Sequence, residues 1–297
     1  MLLSLRYVKT FRFPTKILIA SLCTADILVA FIVIPIRINE LFYVQWTRTV
    51  TWCKVAISIN IWNLLASLFN LLAISTDRLV FIIRPLHYHQ ILTKQRAIGV
   101  VIVIWLLINV ISFVPIFTGL ALQENARRTK SDYLCKYATT LKREYLATIA
   151  AIFITPLLIF ATIYFVILRT ATTTLEQIRK SSSLVRREAD SIKRSEHKDI
   201  LVILLLVVIF YACYIPHIVG LILSINQAEL ITPNFIFVMA VCLYLNSFCN
   251  SVVYYCFSAE FRRAFKKVFF GGSTSQQRAN SASRNPTISI TLSSTNT

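Results

Sequence analysis

Acidic side chains are scarce in this chain: 13 Asp and Glu stand against 31 Lys and Arg, a formal charge of +18. Short catalytic and cofactor motifs are missing as well. No CxxC pair, GxxxxGK loop, GxSxG elbow or HExxH helix occurs, so the common zinc, phosphate and acyl-transfer signatures have no residues to build on. Seven cysteines are too few for a disulfide scaffold. Cys23, Cys213, Cys242, Cys249 and Cys256 lie in or beside apolar runs and read as inert fillers. Only Cys53 and Cys135 fall where an oxidising compartment could reach them. No internal repeat or large soluble segment is evident. The absence that organises the rest is one of charge: between Lys54 and Asp77 there is none.

What fills the chain instead is apolar. Hydrophobic residues make up 56% of it and come in runs of about 20, the length that crosses a bilayer as a helix. Six such runs are expected, at 17–42, 53–83, 97–118, 145–169, 198–225 and 232–257. The basic residues collect between them, in 1–16, 84–97, 169–198 and the tail. That distribution argues against nucleic acid and for cytoplasmic loops beside anionic membrane lipid, with both chain ends inside. The loop 119–145 is basic too, so charge alone does not settle the orientation. Five residues before Arg6 cannot span a membrane, so residues 1–16 read as the end of one span followed by an inner loop. Residues 259–270 alternate Phe261, Ala264, Phe265 and Val268 with Arg and Lys, the pattern of an amphipathic helix lying on the membrane. Residues 271–297 are rich in Ser, Thr and Asn and are expected to be disordered.

Polar residues inside the runs are ordered. At about 1.5 Å rise per residue, Cys53 and Arg78 lie roughly 37 Å apart, near opposite membrane faces. At about 100° per residue, Asn60, Asn63, Ser67 and Arg78 share one side of that helix, which must face protein. Asp26 sits in mid-span, where a carboxylate needs a cation, a proton or several donors. Pro35 near the end of that run is expected to kink it. Trp105 by itself reads as packing. Pro156 and Tyr164 mark the fourth run, and Phe210 with Cys213-Tyr214-Ile215-Pro216 the fifth. Asn246, Asn250 and Tyr254 recur every four residues in the sixth and share a helix side.

Taken singly these motifs are weak; in this order and spacing they are specific. SLCTADIL around Asp26, Cys53 with Asp77-Arg78-Leu79, Pro85, Trp105, Cys135, Pro156 with Tyr164, CYIP at 213–216, NSVVY at 250–254 and Phe261 together resemble a rhodopsin-like (class A) G-protein-coupled receptor over residues 1–270. The motifs are most similar to those of amine and adenosine receptors. The resemblance implies an all-α membrane protein, a seven-helix bundle of which this chain holds six complete spans and a stub of the first, plus an amphipathic eighth helix. It implies no catalysis and no covalent cofactor. Its partners would be an extracellular ligand, a heterotrimeric G protein and arrestin, the last at tail positions such as Ser273, Thr274, Ser275, Ser281 and Ser283.

Site roles follow from the same resemblance. Arg78 is the switch arginine, restrained by Asp77 and Glu196 and released toward Tyr164 and Tyr254. Phe210, Tyr214, Pro216 and Asn250 belong to the same switch. Cys53 pairs with Cys135. Asp26, Asn63, Ser67, Asn246 and Asn250 match a buried sodium pocket. Leu79, Tyr214 and Ser251 depart from the family's usual residues. The family's first helix, with its asparagine, has no counterpart beyond the stub. Asp26 would then lack a donor, and polar flanks of the neighbouring helices would face lipid.

The implied ligand pocket holds Asn60, Ile61, Leu64, Thr148, Ile149, Ile152, His217, Ile218, Leu221, Ala240 and Tyr244, with Arg37 and Glu40 at its rim. Asn60 stands where amine receptors carry Asp, and an amide cannot neutralise an ammonium. Tyr244 stands where opsins carry the Schiff-base lysine. A small neutral, mostly apolar ligand fits, nucleoside-like or indole-like, and a peptide at the rim is an open alternative. Two other readings are kept: a truncated, non-signalling receptor product, and a membrane transporter, against which the lack of repeated halves counts.

Overall fold

The computed structural model describes residues 2–8, 12–36, 38, 50–123, 140–179 and 183–270. Among these, six helices are long and apolar enough to cross a membrane. They are Phe13–Ile36, whose regular part is α1 (Phe13–Leu28); α2 (Val50–Ile83); α4 (Lys94–Phe117); α5 (Arg143–Arg179); α6 (Ser183–Asn226); and α7 (Pro233–Phe257). A one-turn helix, α3 (Tyr88–Ile91), follows α2, and α8 (Ala259–Phe270) follows α7. A 3-10 turn, Leu2–Arg6, precedes them. The expected span to residue 42 runs partly outside the described residues.

Local chemistry sets the helix starts. Thr93 caps α4 by accepting from the Arg96 N–H at 3.3 Å. Thr232 caps α7 from Phe235 N–H at 3.2 Å, with Pro233 in the first turn. Ser258 caps α8 from Phe261 N–H at 3.3 Å. Each side chain satisfies one of the N–H groups that a helix start leaves over. Gly119 ends the α4 turn with φ 81°, the left-handed conformation that favours glycine. The chain then forms a single bridge, Leu122 with Leu141, which returns it to α5.

Prolines act differently from one helix to the next. Pro115, Pro156 and Pro216 lie inside α4, α5 and α6. Before Pro35 the backbone widens into a π turn, Val29–Val33. Proline has no N–H for the carbonyl four residues back, and a π turn re-registers the ladder around that loss.

α2 is the axis of the bundle. It packs against α1, α4, α5 and α6. Leu64, Leu65, Leu68, Leu71 and Ile74 on it are fully buried. α4 is the opposite case: Ile102, Val103, Leu106, Leu107 and Val110 are exposed, a row suited to lipid contact. Trp105 on its inner face donates from Nε1 to Ser21 Oγ at 3.0 Å and packs 5.7 Å from Trp62. Leu5 and Val8 are buried, and the Leu2–Arg6 turn packs on α8. Lys267 Nζ sits 4.9 Å over the Tyr7 ring.

The structure corrects one expectation here. The polar flanks do not face lipid. Asn246 and Asn250 are 0% and 1% exposed, and Asp26 and Ser247 are 9%. The physical reason is that α1 and α7 close on each other through these groups, while the outer face of α7 presents Phe237, Val241, Leu245 and Phe248.

Candidate functional site

Two polar clusters are buried between the helices. In the first, Asn250 Nδ2 donates to both carboxylate oxygens of Asp26, each at 3.2 Å. Asn246, one turn earlier on α7, donates from Nδ2 to Ser67 Oγ on α2 at 3.3 Å. The fully buried Tyr214 of α6 brings its hydroxyl beside Ser67 and Asn246. Ser247 lies beside Asp26. Asn63 stands one turn from Ser67 on the same face, 1% exposed, and neither atom of its amide has a hydrogen-bond partner. The Oδ1 atoms of Asn246 and Asn250 are buried without partners too. The bond from Asn250 to Asp26 joins two residues that the resemblance had already grouped. Ser247 and the Tyr214 hydroxyl were not anticipated as members.

The second cluster lies at the other end of α2. Asp77 is 2% exposed, and its carboxylate has two hydrogen-bond donors and an ion-pair partner. Tyr88 Oη gives to Oδ1 at 2.6 Å, Thr15 Oγ1 gives to Oδ2 at 2.8 Å, and Arg78 Nε is 3.4 Å from Oδ2. Tyr88 is itself held in place. Its ring meets Phe81 edge-on at 5.5 Å, and the Arg12 guanidinium lies 4.3 Å from the Phe81 centroid and 4.8 Å from that of Tyr88. Burial, and then the bond to Asp77, push the Tyr88 hydroxyl up to about 12. It therefore stays protonated, and a donor, throughout the physiological range. Sequence reading singled out Asp77 and Arg78 but missed Thr15, Tyr88 and Arg12.

An aromatic core joins the helices around these clusters. Phe210 lies 4.5 Å from Tyr214 and stacks on Phe153 at 5.6 Å; all three are fully buried. Tyr164 is 7% exposed with its hydroxyl 3.4 Å from Ser75 Oγ. Tyr254 is buried and packs 6.0 Å from Phe261. Phe153, the partner of Phe210 across α5 and α6, carried no sequence signal beyond being apolar.

At the Cys53 end, Ile61, Leu64, Ile149 and Leu221 belong to one buried core, and Ile152, Ile218 and Tyr244 pack against it. His217 is 5% exposed and Asn60 half-buried. Thr148 is exposed, and its hydroxyl donates to the Glu144 carbonyl at 2.8 Å, so it is committed to its own helix. Cys53 is disulfide-bonded and lies 3.7 Å from Thr140 Oγ1, while the other five described cysteines are free. Cys135, Arg37 and Glu40 lie outside the described residues. Glu196 is on α6, but its side chain is outside them as well. The described residues contain no group of three or more His, Cys, Asp or Glu that could hold a metal.

The family model described as "7 transmembrane receptor (rhodopsin family)" matches residues 1–254. The chain belongs to the rhodopsin family of seven-transmembrane receptors. Human melatonin receptor type 1B is 29% identical over 258 residues, covering 85% of this chain and 68% of its own length. Octopamine receptor beta-1R of Drosophila melanogaster is 26% identical, covering 86% of this chain and 55% of its own. Histamine H2 receptor of Cavia porcellus is 26% identical, covering 86% and 70%. As a member of this family the receptor is an all-helical, multi-pass membrane protein that binds a ligand and couples to G proteins, and it is not an enzyme.

Proposed function

We propose that ligand binding at the Cys53 end of the receptor drives the inner half of α6 outward about Pro216 and frees Arg78 to engage a heterotrimeric G protein. The observation that carries this reading is the Asp77–Arg78 pair, with Asp77 buried and Arg78 partly so, at the far end of a 34-residue helix from Cys53. Such a device is a two-state bundle, biased by ligand at one end and by G protein at the other. In the arrangement described, the Asp77 carboxylate is saturated by α1, α3 and Arg78, and Tyr164 is turned toward Ser75. Release would let Arg78 meet Tyr164 and Tyr254. The aromatic stack of Phe153, Phe210 and Tyr214 lies just below Pro216, where repacking would carry motion between the ends.

On this reading the Asp77 end, where basic loops gather, is cytoplasmic, and Cys53 pairs with Cys135 outside the cell. The basic faces of α6 and α8 meet anionic lipid, and a phosphorylated tail recruits arrestin. Sodium fits the first cluster. One carboxylate, the Ser67 hydroxyl and amide oxygens are hard neutral or anionic donors, and three of those amide oxygens, on Asn63, Asn246 and Asn250, are buried without partners. Bound there, the ion would neutralise Asp26, with Asn63, Ser67, Asn246 and Asn250 as its other candidate ligands.

Removing the α6 carboxylate that the resemblance sets against Arg78 tests the switch. Glu196→Ala is expected to raise basal nucleotide exchange by a few-fold at equal surface expression; unchanged exchange would count against α6 as the moving element. The ligand class is a small uncharged molecule, of the kind melatonin exemplifies, because Asn60 offers no negative charge to an ammonium. Melatonin is expected to compete at this site better than octopamine or histamine by tenfold or more, and Asn60→Asp is expected to narrow the gap. Tighter binding of either amine to the unmodified receptor would sink the assignment.

A further inference from the structure

Two helices at the Asp77 end of the bundle begin with cations where their dipoles favour anions. α1 has Arg12 at its N-cap, with no side-chain cap, and Lys16 follows one turn on. α4 begins at Lys94. Neither helix has an acidic residue in its first turn, although a helix start is the positive end of the dipole and attracts negative charge. α1 packs against α4, and Lys94 Nζ lies 5.0 Å over the ring of Phe13, the residue after Arg12. The two basic starts are therefore neighbours. Arg96, on the same turn of α4, is committed elsewhere: its Nη1 donates to the carbonyls of Gln90 and Ile91 at 2.9 and 2.8 Å. Arg12 differs. Its guanidinium lies over the Phe81 and Tyr88 rings, and its Nη1 is buried with no hydrogen-bond acceptor. The side chain as a whole is half-buried, so a ligand can reach it. Rings take up the flat face of a guanidinium and leave its N–H edge for an oxygen.

We infer that Arg12, Lys16 and Lys94 bind the phosphorylated headgroup of a polyanionic membrane lipid, an inositol phospholipid carrying phosphomonoesters. Charge complementarity selects the headgroup. A phosphomonoester carries more than one negative charge and several acceptor oxygens, enough for a guanidinium edge and an ammonium at once; a headgroup with a single net charge can neutralise only one of the three. Basic pockets between spanning helices on the inner face are where such headgroups bind. The surroundings favour a lipid. Phe13 and Ile98, the latter one turn on from Lys94, are 55% and 39% exposed apolar side chains, beside which acyl chains can lie. The site also touches the switch. Arg12 packs on the ring of Tyr88, and Tyr88 donates to Asp77. A headgroup that fixes the guanidinium would steady that ring and the loop after α2. Placement in the inner leaflet and any effect on signalling rest on the proposed function; binding of the headgroup does not.

The test uses the full chain in phosphatidylcholine nanodiscs. The discs contain either phosphatidylinositol 4,5-bisphosphate or phosphatidylserine at equal total charge, and lipid bound to the receptor is counted by native mass spectrometry. The bisphosphate is expected to bind about tenfold tighter than phosphatidylserine. Lys94→Gln and Arg12→Gln are each expected to weaken it about fivefold, the share of one cation beside an anionic headgroup. Lys94 is exposed, so its variant folds even if that of Arg12 does not. Arg263→Gln on α8 removes the same charge from an exposed position and is expected to change the affinity by less than twofold. Equal losses in Lys94→Gln and Arg263→Gln would overturn the site in favour of diffuse surface charge. So would equal binding of the two lipids. Amide hydrogen exchange over residues 84–91 is expected to slow several-fold in bisphosphate discs and to stay unchanged in Lys94→Gln. Tight binding without slower exchange would overturn the link to Tyr88. No readout needs extracellular ligand or G protein, so failure of the signalling reading would be seen separately.

Discussion

Replacing Tyr88 with phenylalanine is expected to raise basal nucleotide exchange about tenfold. The substitution removes one oxygen and keeps the ring between Phe81 and Arg12. What is lost is the 2.6 Å bond to Asp77, an O–H donated to a charged acceptor. Such bonds contribute about 1.5–3 kcal/mol, and the lower figure is already about a tenfold shift in a two-state equilibrium. On the proposed switch the effect is expected as activity, because the bond joins the loop after α2 to the carboxylate paired with Arg78. Tyr88 is 1% exposed, so in this arrangement it offers nothing to a G protein. Thr15→Val, which removes the 2.8 Å donor from α1, is expected to act in the same direction and less strongly, being a longer bond from a weaker acid. Nucleotide exchange on purified G protein, with receptor matched by surface labelling, checks both. Because the Tyr88 hydroxyl is pushed up to about 12, its contribution is present at and below neutral pH and is lost only as pH rises toward that value. The rise in Tyr88→Phe is therefore expected to be the same at pH 6.5 and pH 8. A variant no more active than the parent would show that Asp77 is held adequately without the loop.

The contrast between what the sequence carried and what it concealed is clearest at Asp77. Its own position was legible, because a charge-free run of helix length must end in charge. Its partners were not. Thr15 and Tyr88 lie 62 and 11 residues away, and no periodicity links them to it. Tyr88 reaches Asp77 only because the turn after Ile83 folds back under α2, a loop geometry that local pattern does not encode. Within a helix the reverse holds. Asn246 and Asn250 were legible as one face from their spacing, and so were Asn63 and Ser67. Their shared burial follows from the cost of an unpaired amide in lipid. Tyr214 was read as a departure from a family residue, yet its hydroxyl joins the polar cluster that the residue's hydrocarbon neighbours do not suggest. Pro35 was legible as a break in the helix ladder, whereas the π turn Val29–Val33 that precedes it was not.

On the proposed reading of the first cluster as a sodium site, Asp26→Asn is expected to abolish stabilisation of the receptor by sodium. The parent is expected to melt about 3 °C higher in sodium chloride at ten times its dissociation constant than in choline chloride of equal ionic strength. A ligand at that ratio stabilises by about 1.4 kcal/mol, and each kcal/mol moves the midpoint of a chain this size by about 2 °C or slightly more. The asparagine variant keeps the shape of the side chain and can still accept from Asn250 Nδ2, so the bundle is expected to fold. It loses the one full negative charge in the cluster. Ser67→Ala, which keeps the carboxylate and removes a neutral oxygen, is expected to retain a sodium effect at higher concentration, and it guards against a variant that merely folds badly. Thermal unfolding in detergent reads all three. The rival is a network of water around the same groups. Water would satisfy the unpartnered oxygens of Asn63, Asn246 and Asn250 equally well, and it would be indifferent to which cation the buffer holds. Equal melting of the parent in sodium and in choline would therefore remove the ion and leave the network. A sodium-specific rise that Asp26→Asn eliminates requires the ion, because ionic strength, screening and water are the same on both sides of the comparison.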